Sequence, residues 1–223
     1  LLVLQRSPAA EAFVRELAAK LSATPEGVML TPGIARAYAS NTSHRAKQAG
    51  VKVLVEGKAT AACAAAPVWF ETDALNYLGN PSLSEEIFGP SALVVWCKDR
   101  AEMLRVAGRI EGSLTATLLA GAAETAEQAD LIELLAAKAG RLVLNGYPTG
   151  VEVSHAIVHG GPYPSTSDGG RSTSVGTRAL GRWVRPICYQ NFADGLLPPE
   201  LQNANPLGLL RLVNGQVTTA PIA

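Results

Sequence analysis

An α/β fold built on a mainly parallel sheet is the class this sequence predicts, and two observations carry the prediction. Residues 92–145 read as strand, helix, strand, helix, strand, and short helical crossovers between apolar runs imply parallel pairing through right-handed connections. The composition fits such an interior: of 223 residues 48% are hydrophobic and 5% aromatic, enough for one good core, or one domain with an appendage.

Taken in order, Leu1-Leu2-Val3-Leu4-Gln5 reads as a strand entered from something upstream, since no initiator methionine precedes it. Ser7-Pro8 is an N-cap followed by proline at the first helical position. Ala10, Phe13, Val14, Leu17, Ala18 and Leu21 then recur at helical spacing, which predicts a helix with one face on the sheet. Thr31-Pro32 repeats that signal for a helix to about residue 48, ending before Gly50, with Arg36, Arg45 and Lys47 on its polar face. Val51, Val53 and Val55 alternate with Lys52, Leu54 and Glu56 as a half-exposed strand, and residues 59–66 are a small-residue connector into a strand at 67–71.

Strands at 92–96, 114–119 and 141–145 enclose helices at 99–110 and 125–139. Asp99 with Glu102 and Thr125 with Gln128 have capping-box spacing, and Gly140 stands where a left-handed helix terminus is needed. From 145 to 177 Gly, Pro, Ser and Thr dominate, in a loop too long for mere connection and therefore a candidate site wall. Residues 176–183 suit a short helix and 184–190 a final strand. Residues 192–223, with Pro198-Pro199 and Pro206, read as an irregular tail. The predicted division is 1–177 and 178–223.

Nineteen basic residues balance nineteen acidic ones, and no basic cluster runs longer than 105–109, so neither nucleic acid nor a membrane surface is an expected partner. No apolar run approaches the ~18 residues of a membrane span. Cys63, Cys97 and Cys188 lack paired spacing and read as buried reduced thiols of a cytoplasmic protein. His155 and His159 stand four apart, but no glutamate follows His155, no third ligand has metal spacing, and Gly160-Gly161 would end a helix there, so no metal site is predicted. The Gly169-Gly170-Arg171-Ser172-Thr173-Ser174 run lacks the Gly-Lys-Ser/Thr ending of a phosphate loop and reads as a flexible turn. No Gly-x-Ser-x-Gly elbow is present, which disfavours a serine hydrolase.

The chemistry concentrates in Ser84-Glu85-Glu86-Ile87-Phe88-Gly89-Pro90, two acids and an aromatic closed by a Gly-Pro stop just before the strand at 92–96. That placement predicts Glu86 and Phe88 at the mouth of a sheet, where α/β folds hold ligands; the plainer reading is a solvated turn acid and an ordinary core aromatic. The segment resembles the Glu-Ile-Phe-Gly-Pro motif of the NAD(P)-dependent aldehyde dehydrogenases. So, in order and spacing, do Asn145-Gly146-Tyr147-Pro148-Thr149-Gly150-Val151-Glu152-Val153, His159-Gly160-Gly161-Pro162-Tyr163-Pro164 and Ser172-Thr173-Ser174-Val175-Gly176.

The resemblance runs from residue 1 to about 191, to the C-terminal half of the family, and is nearest to its α-ketoglutarate semialdehyde dehydrogenases. It implies a three-layer αβα sandwich, the catalytic-domain portion of the family, over 1–177, and over 178–223 an oligomerisation strand near 184–190 with a tail. It also implies NAD or NADP as cofactor and a small-molecule aldehyde as substrate. Glu86 would grip the nicotinamide ribose, with Phe88 packed beside it. The nucleophilic cysteine and general-base glutamate would lie upstream, so no catalytic residue is assigned here and the fragment alone is expected to be inactive. Aligned on its double glycine, His159 stands where relatives present an aromatic wall to the aldehyde; the alternative is a loop histidine bonded to backbone. Arg171 is the one permanent cation between 159 and 174, and so either meets a substrate carboxylate or pairs with Asp168. The competing function is a non-catalytic binding or assembly module of the same fold.

Overall fold

The chain runs β1 (Leu2–Gln5), α1 (Pro8–Ser22), β2 (Gly27–Val28), α2 (Pro32–Ala46), β3 (Lys52–Glu56), β4 (Ala64–Ala65), β5 (Val68–Asp73), α3 (Ala74–Gly79), a 3-10 turn (Pro81–Ser84), β6 (Ser91–Cys97), α4 (Arg100–Arg109), β7 (Ser113–Leu118), α5 (Ala122–Thr125), a 3-10 turn (Ala126–Gln128), α6 (Ala129–Ala136) and β8 (Ala139–Leu144). This computed structural model describes residues 1–151 and 153–222, so Glu152 of the second family-like segment lies outside the described residues. By packing, the chain separates into two units, Leu1–Ala179 and Leu180–Ala223.

In the first unit the main sheet has the order β1-β6-β5-β3, with β1, β6 and β5 parallel and β3 antiparallel at the edge. β7 and β8 form a separate parallel pair, and β2 with β4 a short antiparallel one. β6 is central and apolar on both faces, as a covered parallel strand must be. Val94 and Trp96 pack with Val14 of α1, Val55 and Trp69. Leu93, Val95 and Cys97 pack with Phe70, Ala74, Tyr77, Leu83 and Val106, which brings α3 and α4 onto the other face. Helices thus cover both sides of a mainly parallel sheet, the three-layer α/β class expected. Each fully buried side chain of this core contributes about 1.5–3 kcal/mol.

Both Pro-initiated helices begin where their caps require, with Ser7 Oγ accepting from the Ala10 N–H at 3.1 Å and Thr31 Oγ1 from the Ile34 N–H at 3.2 Å. Other boundaries differ from expectation for local reasons. The helix expected over 125–139 is α5, a 3-10 turn and α6. Its start is set by the Glu124 carboxylate, which accepts from the Gly121 N–H at 2.8 Å, and not by Thr125 with Gln128. At α4, Asp99 caps the Glu102 N–H at 2.8 Å, while Glu102 reaches the Lys98 N–H at 2.9 Å instead of closing the box on Asp99. Gly140 is inside β8, not at a left-handed terminus; a Cβ there would meet the Gly160 carbonyl oxygen at 1.9 Å. Phe13 is 44% exposed, because the stripe of α1 on the sheet runs through Ala10, Val14, Leu17, Ala18 and Leu21, with Phe13 to its side. The register of β3 shifts between Val53 and Val55, a bulge that buries Val55 and leaves Val53 exposed. The connector at 59–66 contains β4, and Cys97 is the only one of the three cysteines that is buried; Cys63 is half-buried and Cys188 exposed.

The second unit is ordered by its own bonds, in place of the irregular tail expected. β9 (Arg211–Val213) and β10 (Gln216–Thr218) form a hairpin around Asn214-Gly215, whose φ values of 51° and 82° are those a two-residue hairpin loop demands. Buried Asn205 donates to the carbonyls of Leu209 (2.9 Å) and Thr219 (2.8 Å), and Arg211 donates to that of Gln202 at 2.6 Å. Residues 184–190 form no strand. Among the described residues nothing pairs with them, and Val184 and Ile187 stand 61% and 59% exposed.

Candidate functional site

Two loops of the first unit carry the candidate residues. Residues 85–90 lead into β6, and α2 holds both ends of this span. At the front, Arg45 Nη2 donates to the carbonyl oxygens of Glu85 (2.7 Å) and Ser82 (3.2 Å), and Gln48 Nε2 donates to Ser82 Oγ at 2.8 Å. At the rear, the Tyr38 hydroxyl lies 3.0 Å from the Pro90 carbonyl oxygen and 2.8 Å from that of Ala66. Gly89, at φ +144°, sits so close to the Tyr38 ring that a Cβ would come within 2.4 Å of it. Burial pushes the Tyr38 phenol up to about 12, so it keeps the proton it donates. Arg45, placed by the sequence on the polar face of its helix, is instead 7% exposed, on one stripe with Ala35, Tyr38 and Thr42; burial lowers its pKa, yet a guanidinium stays charged.

Between these clamps Ile87 packs against the core, while Glu86 is exposed and Phe88 is 67% exposed, so Phe88 is not the core aromatic of the plainer reading. Among the described residues Glu86 makes no hydrogen bond or ion pair. The span lies at the amino ends of β6 and its parallel neighbour β5, opposite the carboxyl ends where open α/β sheets place ligands. Sequence reasoning missed Tyr38 and Arg45 as its supports. Their signal was the helical spacing of 35, 38, 42 and 45, hidden because two of those residues are polar.

The second loop is tied to itself. The His159 N–H donates to Thr173 Oγ1 at 2.8 Å, the Ser174 N–H returns to the His159 carbonyl at 3.0 Å, and Ser174 Oγ stands 3.1 Å from His159 Nδ1. Gly161 lies against the start of β7, where a Cβ would meet the Ser113 carbonyl oxygen at 2.4 Å. Arg171 is exposed, and the pairing with Asp168 is not formed. Asp168 accepts instead from Thr166 Oγ1 (2.9 Å), from the N–H groups of Gly170 (3.0 Å) and Ser172 (3.1 Å), and from Ser172 Oγ. Those bonds, the Ser172 hydroxyl first, hold the Asp168 carboxyl down at about 2. Among the described residues no hydrogen bond or ion pair joins Glu86 or Phe88 to His159 or Arg171, so the two pairs stand on separate loops. Among those residues no group of three His, Cys, Asp or Glu side chains is placed to hold a metal, and no helix is long and apolar enough to cross a membrane.

No protein-family model matches the chain. It is 45% identical over 210 residues to the alpha-ketoglutaric semialdehyde dehydrogenase 2 of Azospirillum brasilense, a match covering 94% of this chain and 40% of that protein. To the alpha-ketoglutaric semialdehyde dehydrogenase of Acinetobacter baylyi it is 42% identical over 215 residues, 96% of this chain and 41% of that protein. The chain therefore spans about 40% of the length of the curated relatives it matches. Its fold is similar to the crystal structure of gamma-glutamyl-gamma-aminobutyraldehyde dehydrogenase from Burkholderia cenocepacia, with a TM-score of 0.60 and 22% identity over 80% of this chain and 36% of that one.

Proposed function

We propose that this chain is the C-terminal part of an enzyme of the aldehyde dehydrogenase kind, one that oxidises an aldehyde to its carboxylate with NAD or NADP, a reading supported by its likeness to such enzymes in sequence and in fold. The aldehyde we assign is α-ketoglutarate semialdehyde. The observation that carries the reading is sequence identity above 40% across nearly the whole chain to two proteins of that printed name.

The residues present fit the nicotinamide end of such a cofactor. Glu86 offers an exposed carboxylate that makes no hydrogen bond or ion pair among the described residues, able to accept from both hydroxyls of a ribose, and Phe88 offers an exposed aromatic face two positions on. When bound, the dinucleotide supplies the hydride acceptor. Holding the ribose by Glu86 fixes the position of the ring relative to the aldehyde, which is what a transfer over one bond length requires. None of the chain's cysteines is assigned as nucleophile. Cys97 is buried and pushed up to about 11, first by burial and then by Glu102, so it is a thiol at neutral pH; Cys63 donates to the Met29 carbonyl at 3.2 Å; Cys188 sits in the second unit, away from both loops in sequence. The covalent step is assigned to the whole protein beyond this stretch.

His159 forms a wall for the aldehyde, and Arg171, a cation with no ion pair among the described residues, meets the far carboxylate of an acidic semialdehyde. The exposed apolar span 184–190 is where copies associate, gaining as a strand on a partner the hydrogen bonds it lacks alone. Assay of the complete protein tests the activity: reduced cofactor should form with α-ketoglutarate semialdehyde in preference to a neutral aldehyde of the same length. Binding of cofactor without turnover of any aldehyde would favour the non-catalytic module.

A further inference from the structure

The support of the Glu86 loop is unusual in its source. Tyr38 and Arg45 stand two turns apart on α2, about 10.5 Å along its axis, and each holds a backbone carbonyl at one end of the span 85–90. Arg45 is a buried cation that forms no ion pair among the described residues; the nearby Glu85 charge favours it but burial opposes it more strongly, and covering such a charge is costly unless its bonds are worth keeping. Both of its bonds go to the carbonyls of Ser82 and Glu85, the end of the 3-10 turn immediately before Glu86. That turn is also closed by the Glu85 N–H on the Ser82 carbonyl (3.3 Å) and by Gln48 on Ser82 Oγ (2.8 Å), but of these bonds only that of Arg45 reaches the Glu85 carbonyl, the peptide immediately before Glu86.

We propose that Arg45 is a positioning residue for cofactor engagement, acting through Glu86: with Tyr38 it makes α2 the rigid gauge that sets where the Glu86 carboxylate stands. The inference rests on the reading of Glu86 as the ribose contact. It assigns Arg45 no contact with cofactor or substrate. A lysine at 45 keeps the charge but, as a single ammonium on a flexible stem, does not reproduce the planar fork that bridges two carbonyls.

The test uses the complete protein and reads NAD+ and NADP+ affinity by equilibrium titration, alongside the KM for aldehyde. Arg45→Met should weaken cofactor binding about tenfold while the aldehyde KM stays unchanged, and Arg45→Lys should fall between it and the parent. In a Glu86→Gln background, adding Arg45→Met should cost little more, because two residues acting through one contact are not additive. Full additivity, or equal losses for cofactor and aldehyde, overturns the proposal and makes Arg45 a support of the fold at large. If Glu86→Gln weakens cofactor binding and Arg45→Met does not, the positioning role fails while the reading of Glu86 stands; if Glu86→Gln alone changes nothing, both fall. Should Arg45→Met not fold, Tyr38→Phe, which removes the hydroxyl lying between the Ala66 and Pro90 carbonyls, leaves Pro90 bonded to the Val68 N–H and keeps the ring under Gly89, carries the same comparison, with a loss of about threefold expected and an unchanged cofactor affinity contradicting it.

Discussion

The short loop that presents Glu86 and the long loop that presents His159 and Arg171 are held by opposite means. The first depends on residues far away in sequence: the Arg45 bond to Glu85 spans 40 positions and the Tyr38 bond to Pro90 spans 52. The second is closed by neighbours, with Asp168 bonded two to four positions away and Ser174 reaching His159 across 15. Long-range clamps make the position of Glu86 a property of the helix and sheet, so a distant substitution reaches it. A self-tied loop keeps its internal shape whatever happens elsewhere, but its placement depends on the few points where it touches the scaffold. Here those include two glycine contacts, Gly160 against Gly140 of β8 and Gly161 against Ser113 of β7, and the Arg141 guanidinium of β8 on the carbonyls of Gly150 and Pro148.

The largest effect should come from one of those glycine contacts. Gly140→Ala places a methyl group against a backbone oxygen that cannot swing aside, so a loss of about 3 kcal/mol is expected; denaturant unfolding of the purified chain reads it, and an unchanged midpoint would mean that the loop does not rest on β8. Next is Arg171→Met in the complete protein. It should lower kcat/KM for an acidic semialdehyde by roughly ten- to a hundredfold, the value of a charge-assisted contact of about 1.5–3 kcal/mol, and leave a neutral aldehyde nearly untouched. Equal losses on both would make Arg171 part of the loop's framework. The smallest effect is in Asp168. A carboxyl whose folded pKa lies below its ordinary value of 3.8 adds stability above that value and loses it as the pH falls toward about 2. The amide resonances of Gly170 and Ser172 should therefore be constant from neutrality to about pH 4 and move together below it; a transition near pH 6 would show another group controlling the loop.

The same contrast explains what could be read in advance. Ser7-Pro8 and Thr31-Pro32 start their helices through bonds three residues long, and the run at β6 is apolar because both its faces are covered, so local pattern and final structure agree. The Asn214-Gly215 hairpin was equally local and legible in principle, but the prolines around it dominate the reading of the tail. Burial of Arg45 was not legible, since a cation at the end of a helix is ordinarily solvated and only the carbonyls of Ser82 and Glu85 give a reason to cover it. Nor was the state of residues 184–190, where strand composition exists without a strand edge to join. Of the candidate residues, the Gly-Pro stop placed Glu86 and Phe88 beside the strand but did not fix at which end of the sheet, whereas the loss of the Asp168–Arg171 pairing followed from hydroxyl and amide donors that outnumber one guanidinium at close range.

The central claim is that a rigidly held Glu86 positions the cofactor for hydride transfer, and single-turnover kinetics of the complete protein with Glu86→Gln test it most directly. The amide keeps the shape and removes the charge, at a cost of roughly 1–2 kcal/mol if the ribose contact persists into the transition state. Formation of reduced cofactor should slow by about five- to thirtyfold with the aldehyde still bound normally. An unchanged hydride-transfer rate together with unchanged cofactor affinity would contradict the account and return Glu86 to the status of a solvated turn acid.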